Sequence, residues 1–154
     1  MGYVTLVFLL LTLSGCGDSG PDAYAEGEDE CGSSEAYSDY LPGLVASGLN
    51  GYSVTLVDST PGPPEKGENR WTVAVADASG APVPDAGLIV SPMMPQHGHG
   101  AAVQAVISPG ETAGSYVADP VHFSMAGVWE ITLGVALAAG ASVDEAVFTL
   151  CIES

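Results

Sequence analysis

Residues 71–76 read Trp-Thr-Val-Ala-Val-Ala, in which large apolar side chains alternate with smaller ones. The same period of two recurs in residues 52–57 (Tyr-Ser-Val-Thr-Leu-Val) and in residues 129–137 (Trp-Glu-Ile-Thr-Leu-Gly-Val-Ala-Leu). Successive side chains of a β-strand point to opposite faces, so one face of each segment is expected to line a core. No long helical period appears after Cys31, which indicates an all-β domain.

Seven short apolar segments follow one another between Gly, Pro, Asn and Asp residues. They are residues 52–57, 71–76, 87–90, 103–107, 115–118, 129–137 and 146–152. About seven short strands with frequent turn residues predict an antiparallel β-sandwich. We expect Trp71 and Trp129 in its core, a hairpin turn at residues 77–80, and a turn at residues 137–142 before the last strand. The inward face of that strand stays open, because Cys151 is out of phase with Leu150 and Ile152.

The N-terminus has the pattern of an export signal. Residues 4–13 (VTLVFLLLTL) are too few to span a bilayer, which takes roughly 20 residues in a helix, and they run into Leu13-Ser14-Gly15-Cys16. Small residues before a cysteine resemble the site at which bacterial lipoproteins are diacylated and cleaved. We therefore expect residues 1–15 to be a signal peptide and Cys16 to carry a lipid that anchors the protein at a membrane. The alternative is an ordinary secreted protein with a free thiol at Cys16.

Charge is strongly unbalanced, with 19 acidic residues against two basic ones and a formal net charge of -17. Nucleic acid is excluded as a partner, because phosphate contacts need a basic surface. Many of the acidic residues lie among Gly, Ser and Pro in residues 16–30. That composition predicts a disordered tether, which holds a domain formed by residues 31–154 away from the membrane.

The cysteine count agrees with an oxidising compartment such as the periplasm. Of the three cysteines, Cys16 is assigned to the lipid, which leaves Cys31 and Cys151. No CxxC pattern is present, so a thioredoxin-like redox role has no support. Two spare cysteines outside the cytoplasm most simply form a disulfide, which would join the N-terminal segment to the last strand.

Residues 90–100 (VSPMMPQHGHG) concentrate two methionines and two of the three histidines. Thioether sulfur is soft and selects Cu(I), while imidazole suits both copper oxidation states. The copper ligands predicted from this chemistry are Met94, His97 and His99, with His122 and Met125 from a second segment. The competing interpretation is structural, since Met commonly packs in a core and His commonly hydrogen-bonds a neighbouring backbone group. Met93 and Met94 are adjacent, so one of them is expected in the core.

Two motifs carry a family resemblance, MPxHGHG at residues 94–100 and MxGxWE at residues 125–130. With them, residues 49–152 resemble the YtkA-like and FixH-like exported domains of bacteria. The resemblance implies an immunoglobulin-like, cupredoxin-like β-sandwich. FixH proteins proper carry a membrane helix and are associated with the assembly of copper-containing cbb3 oxidases. Because this chain is expected to carry a lipid instead, that role is not implied for it.

Two functions from different classes remain. The Met/His segment favours a lipoprotein of the cell envelope that binds or handles copper. The long tether and the use of sandwich folds as scaffolds favour a module without metal that binds another envelope protein. An enzyme is not expected, because no Ser, His and Asp arrangement with a recognisable local signature is present.

Overall fold

The computed structural model of the chain describes Met1 and residues 31–32, 36–136 and 143–154. The predicted lipid site at Cys16, the signal peptide beyond Met1, the tether up to residue 30 and the turn at residues 137–142 lie outside the described residues. The described residues contain no apolar helix of membrane-spanning length.

Nine strands make up the described part of the domain. They are β1 (Leu44–Ser47), β2 (Ser53–Thr60), β3 (Gly67–Ala76), β4 (Gly87–Met94), β5 (His99–Gly100), β6 (Val106–Pro109), β7 (Ser115–Phe123), β8 (Gly127–Ala136) and β9 (Asp144–Ile152). They form a five-stranded sheet in the order β1-β2-β3-β7-β6 and a four-stranded sheet in the order β5-β4-β8-β9. Every pairing between these strands is antiparallel, as the predicted β-sandwich requires.

Each of the seven predicted segments overlaps a strand, and two short edge strands, β1 and β5, were not predicted. The segment predicted at residues 103–107 is displaced, since β6 begins only at Val106. Gln104 lies in the connection between β5 and β6, which crosses from the four-stranded sheet to the five-stranded sheet. Its side-chain Nε2 donates to the carbonyl oxygen of Val90 at 2.9 Å, which ties this residue to the edge of β4 instead of continuing β6.

The core lies between the sheets and is built on the predicted alternation. Trp71, Trp129 and Ile131 are each 0% exposed, which confirms the two tryptophans as core residues. The ring of Trp71 lies 6.1 Å from that of Phe123 and 6.5 Å from that of Phe148, centroid to centroid. Aromatic side chains from both sheets therefore meet in the middle of the sandwich.

The last strand turns its even-numbered side chains inward. Phe148, Leu150 and Ile152 are buried, while Cys151 points outward and forms the predicted disulfide with Cys31, with the Cα atoms 5.7 Å apart. Beside it, Ser38 forms a parallel bridge with Leu150 along the edge of β9. The disulfide thus holds the N-terminal segment against the outer edge of the four-stranded sheet.

Two acidic side chains organise the connections at one end of the sandwich. Asp77 forms the predicted turn between β3 and β4, where its Oδ1 accepts from the backbone N–H groups of Ser79 at 2.8 Å and Ala81 at 3.0 Å. Asp144, at the start of β9, is buried and accepts from the backbone N–H groups of Asn50 and Tyr52, each at 3.1 Å. Asp144 thereby fastens the β1–β2 hairpin to the other sheet.

Candidate metal centre

The two segments with Met and His come together at the opposite end of the sandwich. β4 ends at Met94, and β5 returns beside it with Met94 and His99 paired in register. β8 starts at the same end with Gly127, directly after the connection from β7 that contains Met125. The two motifs are far apart in the sequence, and the pairing of β4 with β8 brings them to the same end of the sandwich.

A tight turn places the two imidazoles of the first segment together. The backbone N–H groups of His97 and Gly98 both donate to the carbonyl oxygen of Met94, at 3.2 Å and 2.9 Å. Gly98 has φ of 65°, a conformation that glycine adopts without steric cost. The chain reverses there, and the ring centroids of His97 and His99 lie 5.8 Å apart. His97 is exposed and His99 half-buried, so one ring faces solvent and the other faces the protein.

The inner imidazole rests on a buried tryptophan that also holds the second segment. The ring centroids of His99 and Trp129 are 5.8 Å apart in an edge-on arrangement, with an interplanar angle of 71°. Trp129 Nε1 donates to the carbonyl oxygen of Met125 at 3.0 Å. Trp129 was predicted from the sequence as a core residue, without a connection to the His and Met segments. The sequence signal for this connection is that Trp129 lies in the MxGxWE motif, four residues after Met125.

The adjacent methionines face opposite ways, as expected of neighbours in a strand. Met94 is 2% exposed and lies in the core, whereas Met93 is 45% exposed on the outer face of the sheet. Met125 is half-buried and packs against the core. Met94 and His99 lie directly opposite each other on adjacent strands, so their side chains share the inner face of the four-stranded sheet.

His122 is not brought together with the other two histidines. It lies on β7, in the five-stranded sheet, and is paired with Glu68 of β3. Its neighbours Val121 and Phe123 are buried in the core, so the alternation of the strand directs His122 to the outer face. Its Nδ1 is buried and has no hydrogen-bond partner among the described residues. The predicted five-residue ligand set is therefore divided between the two sheets.

The donor groups at this end of the sandwich limit which metal ions could bind there. Nowhere in the described residues do three or more His, Cys, Asp or Glu side chains gather as a metal site. Two imidazoles are present, both cysteines of the domain are in the disulfide, and the remaining soft donors nearby are thioethers. A donor set of imidazole and thioether fits copper, and Cu(I) in particular.

Comparison with known proteins then decides the family. The family model described as YtkA-like matches residues 46–134, which is more than half of the chain. The chain belongs to the YtkA-like family. The matched residues run from β1 into β8 and include the Met94 to Gly100 segment and the Met125 to Glu130 segment, so the resemblance carried by those motifs is confirmed.

Solved structures similar to this YtkA-like chain include a copper-bound variant of FetP from uropathogenic Escherichia coli, at 8% identity and a TM-score of 0.46, covering 72% of this chain and 95% of that one. FetP as isolated matches at 10% identity and a TM-score of 0.44, over 71% of this chain and 94% of that one. A copper-bound variant of Campylobacter jejuni P19 matches at 9% identity and a TM-score of 0.43, over 69% of this chain and 95% of that one. The copper belongs to those proteins. No curated protein matches the sequence.

Proposed function

We propose that this YtkA-like chain is a lipoprotein of the cell envelope whose domain binds copper in the periplasm. Residues His97 and His99 supply imidazole ligands, and Met94 and Met125 are the thioether donors for Cu(I). The lipid on Cys16 and the acidic tether hold the domain near the membrane. The proposal gives the protein a role in carrying copper and assigns it no reaction.

The observation that carries the proposal is the separation of the two imidazoles. An imidazole nitrogen lies about 2 Å from a bound first-row metal ion, so two rings that share one ion have centroids roughly 5 to 6 Å apart. The centroids of His97 and His99 are 5.8 Å apart, with the ring planes tilted by 45°. The observed separation is the one that two imidazoles sharing one ion require.

The surroundings of the two rings explain why the ion would be copper. In an oxidising compartment the thiolates of Cys31 and Cys151 are consumed in the disulfide, which leaves methionine as the soft donor. Met94 is paired with His99, and Met125 is held at the same end through Trp129. The formal charge of -17 also favours the approach of a cation over that of an anion.

The exposure of His97 suits a carrier. His97 is open to solvent while His99 is half-buried, so a partner or a small thiol can reach the ion from one side. The other side is closed by Trp129 and the core. Such a site exchanges its ion by ligand replacement at the open side and leaves the sandwich unchanged.

A second function is favoured by an apolar area on the outer face of the four-stranded sheet. Ile89 is 55% exposed and Val143 is 46% exposed. They flank Gly134, where a Cβ atom would lie 2.9 Å from a methyl carbon of Val143 and 4.0 Å from the Cβ of Ile89. Contiguous exposed apolar surface is typical of protein contacts where it is large. This area favours the alternative of a protein-interaction module of the cell envelope with no metal.

Competition with a colorimetric Cu(I) chelator of micromolar affinity tests the copper function. The wild-type protein is expected to bind one Cu(I) per chain, and a variant with both His97→Ala and His99→Ala is expected to lose it. His122→Ala is the matched control, since it removes the third imidazole from the outer face of the other sheet and should bind as wild type does. Cu(I) is used because the acidic residues hold Cu(II) loosely. If the double variant competes as well as wild type, the copper proposal is wrong and the interaction module takes its place.

A further inference from the structure

A single buried indole touches both segments of the proposed copper site. Trp129 is 0% exposed, and its ring lies between Phe123, at a centroid distance of 5.4 Å, and His99, at 5.8 Å. Buried indole N–H groups usually have an acceptor, and for Trp129 the acceptor is the carbonyl oxygen of Met125 at 3.0 Å. The imidazole of His99 and the backbone of Met125 therefore both contact the indole of Trp129.

We propose that Trp129 is the positioning residue of the copper site. Its indole N–H holds the Met125 segment, its ring supports the His99 imidazole, and together these contacts fix the distance between the two ligand-bearing segments. This role rests on the proposed function, and it adds a residue that does not itself need to touch the ion. Groups that orient metal ligands in this way commonly affect affinity as strongly as some ligands do.

The geometry of the connection explains why the ring is needed. Met125 lies in the loop between β7 and β8, which passes from one sheet to the other, and Gly127 after it has φ of 128°. Met125 itself belongs to no strand, whereas Gly127 is the first residue of β8 and pairs with Ile152. The hydrogen bond from Trp129 ties the backbone of Met125 to β8, which pairs with the end of β4, and the Met125 side chain also packs against the core.

The second tryptophan of the chain supplies a matched control. Trp71 is also 0% exposed and also packs against Phe123, but its Nε1 has no hydrogen-bond partner among the described residues. Its other aromatic contact is with Phe148, and within the described part of the chain no aromatic contact joins it to a histidine. Trp71→Phe and Trp129→Phe therefore remove similar buried volume, and only the second removes a hydrogen bond to a ligand segment.

The test measures Cu(I) affinity and melting temperature of the purified protein and of both variants. Trp129→Phe is expected to weaken Cu(I) binding about 10- to 100-fold, whereas Trp71→Phe leaves the affinity of the folded protein unchanged. A purely structural role for Trp129 would lower the melting temperature of both variants to a similar extent and leave both affinities as in wild type. That result would overturn the proposal.

A spectroscopic readout decides the matter if Trp129→Phe does not fold. The chain has two tryptophans, so Trp71→Phe leaves Trp129 as the single indole. Saturation with Cu(I) is expected to change the emission of that indole, and an emission spectrum that does not change contradicts the proposal. If neither wild type nor Trp71→Phe binds Cu(I), the proposed function itself is wrong and the positioning role falls with it. If both bind and Trp129→Phe binds equally well, the positioning role alone is wrong.

Discussion

Replacing Asp144 with Asn perturbs the contact that fastens the β1–β2 hairpin to the four-stranded sheet. The carboxylate is 3% exposed and accepts hydrogen bonds with both of its oxygens. Oδ1 accepts from the backbone N–H of Glu145 at 3.1 Å and from Asn50, while Oδ2 accepts from the backbone N–H of Tyr52 at 3.1 Å. Gly48 leaves the room for this, since a Cβ there would collide with the carboxylate.

Asn has the same shape but only one acceptor oxygen. Its NH₂ group would face the N–H of Tyr52, so a partly buried donor loses its acceptor, and the remaining bonds lose the charge that strengthens them. One partly buried donor without an acceptor and several weakened bonds cost about 2 to 3 kcal/mol. For a domain of this size that free energy corresponds to a fall in melting temperature of about 10 °C.

Thermal unfolding followed by circular dichroism measures the effect, with Asp77→Asn as the control. Asp77 accepts all of its turn hydrogen bonds with Oδ1 alone, from Ser79 and Ala81. Asn keeps that oxygen, so this variant is expected to melt close to wild type although it loses the same charge. If Asp144→Asn also melts with wild type, the hydrogen-bonding role of Asp144 is refuted.

The hydrogen bonds to the Asp144 carboxylate also predict how the stability of the domain changes with pH. Burial raises the pKa of Asp144, but the backbone N–H groups of Asn50, Tyr52, Glu145 and Leu49 together outweigh burial, and the pKa lies below its ordinary value of 3.8. A depressed carboxyl pKa adds stability that is complete above the unfolded pKa and is lost as the pH falls through the folded pKa. The difference in melting temperature between wild type and Asp144→Asn should therefore be full at neutral pH and shrink below about pH 3.8. A difference that stays constant down to pH 2 would contradict this assignment.

Three further predictions concern the anchor, the disulfide and the thioethers. Cys16→Ala should release the folded protein from membranes, and protein that still sediments with them after a high-salt wash would disprove the lipid anchor. Cys31 and Cys151 should resist alkylation without reductant. Their reduction should lower the melting temperature, with a loss in the free energy of unfolding of at most about 4 to 5 kcal/mol for so long a loop; two freely alkylated thiols in protein taken from cells would disprove the bridge. Met94→Leu should weaken Cu(I) binding, while Met93→Leu, on the opposite face of β4, should not. Both variants should melt nearly as wild type does without metal, because Leu keeps the volume of Met. Equal Cu(I) affinities of the two variants would exclude the Met94 sulfur as a ligand.

The strands could be predicted because burial on one face leaves a period of two in the sequence, as in Trp71, Val73 and Val75. β1 and β5 could not, because strands of four and two residues carry too few side chains for a period and are placed by their pairing partners. The inward phase of β9 was open in the sequence, and the disulfide settles it by occupying the outer face with Cys151.

Part of the site also followed from local pattern. Residues two apart share a face in an extended chain, so His97 and His99 could converge, but the glycines beside them also allowed the rings to point apart. In the structure their ring centroids lie 5.8 Å apart. The choice between Met93 and Met94 needed the register of β4. The separation of His122 from the other histidines needed the sheet order, since local sequence does not show which of two sandwich sheets a strand joins.

X-ray absorption at the copper edge of the Cu(I)-loaded protein tests the central claim most directly. It reports the elements bound to the metal without a variant and independently of folding. The account predicts imidazole scattering from His97 and His99 together with at least one sulfur neighbour in the wild-type protein, and no Cu(I) retained by the His97→Ala, His99→Ala variant. A spectrum with oxygen neighbours alone, unchanged in that variant, would place the copper on surface carboxylates and contradict a Met/His centre at this end of the sandwich.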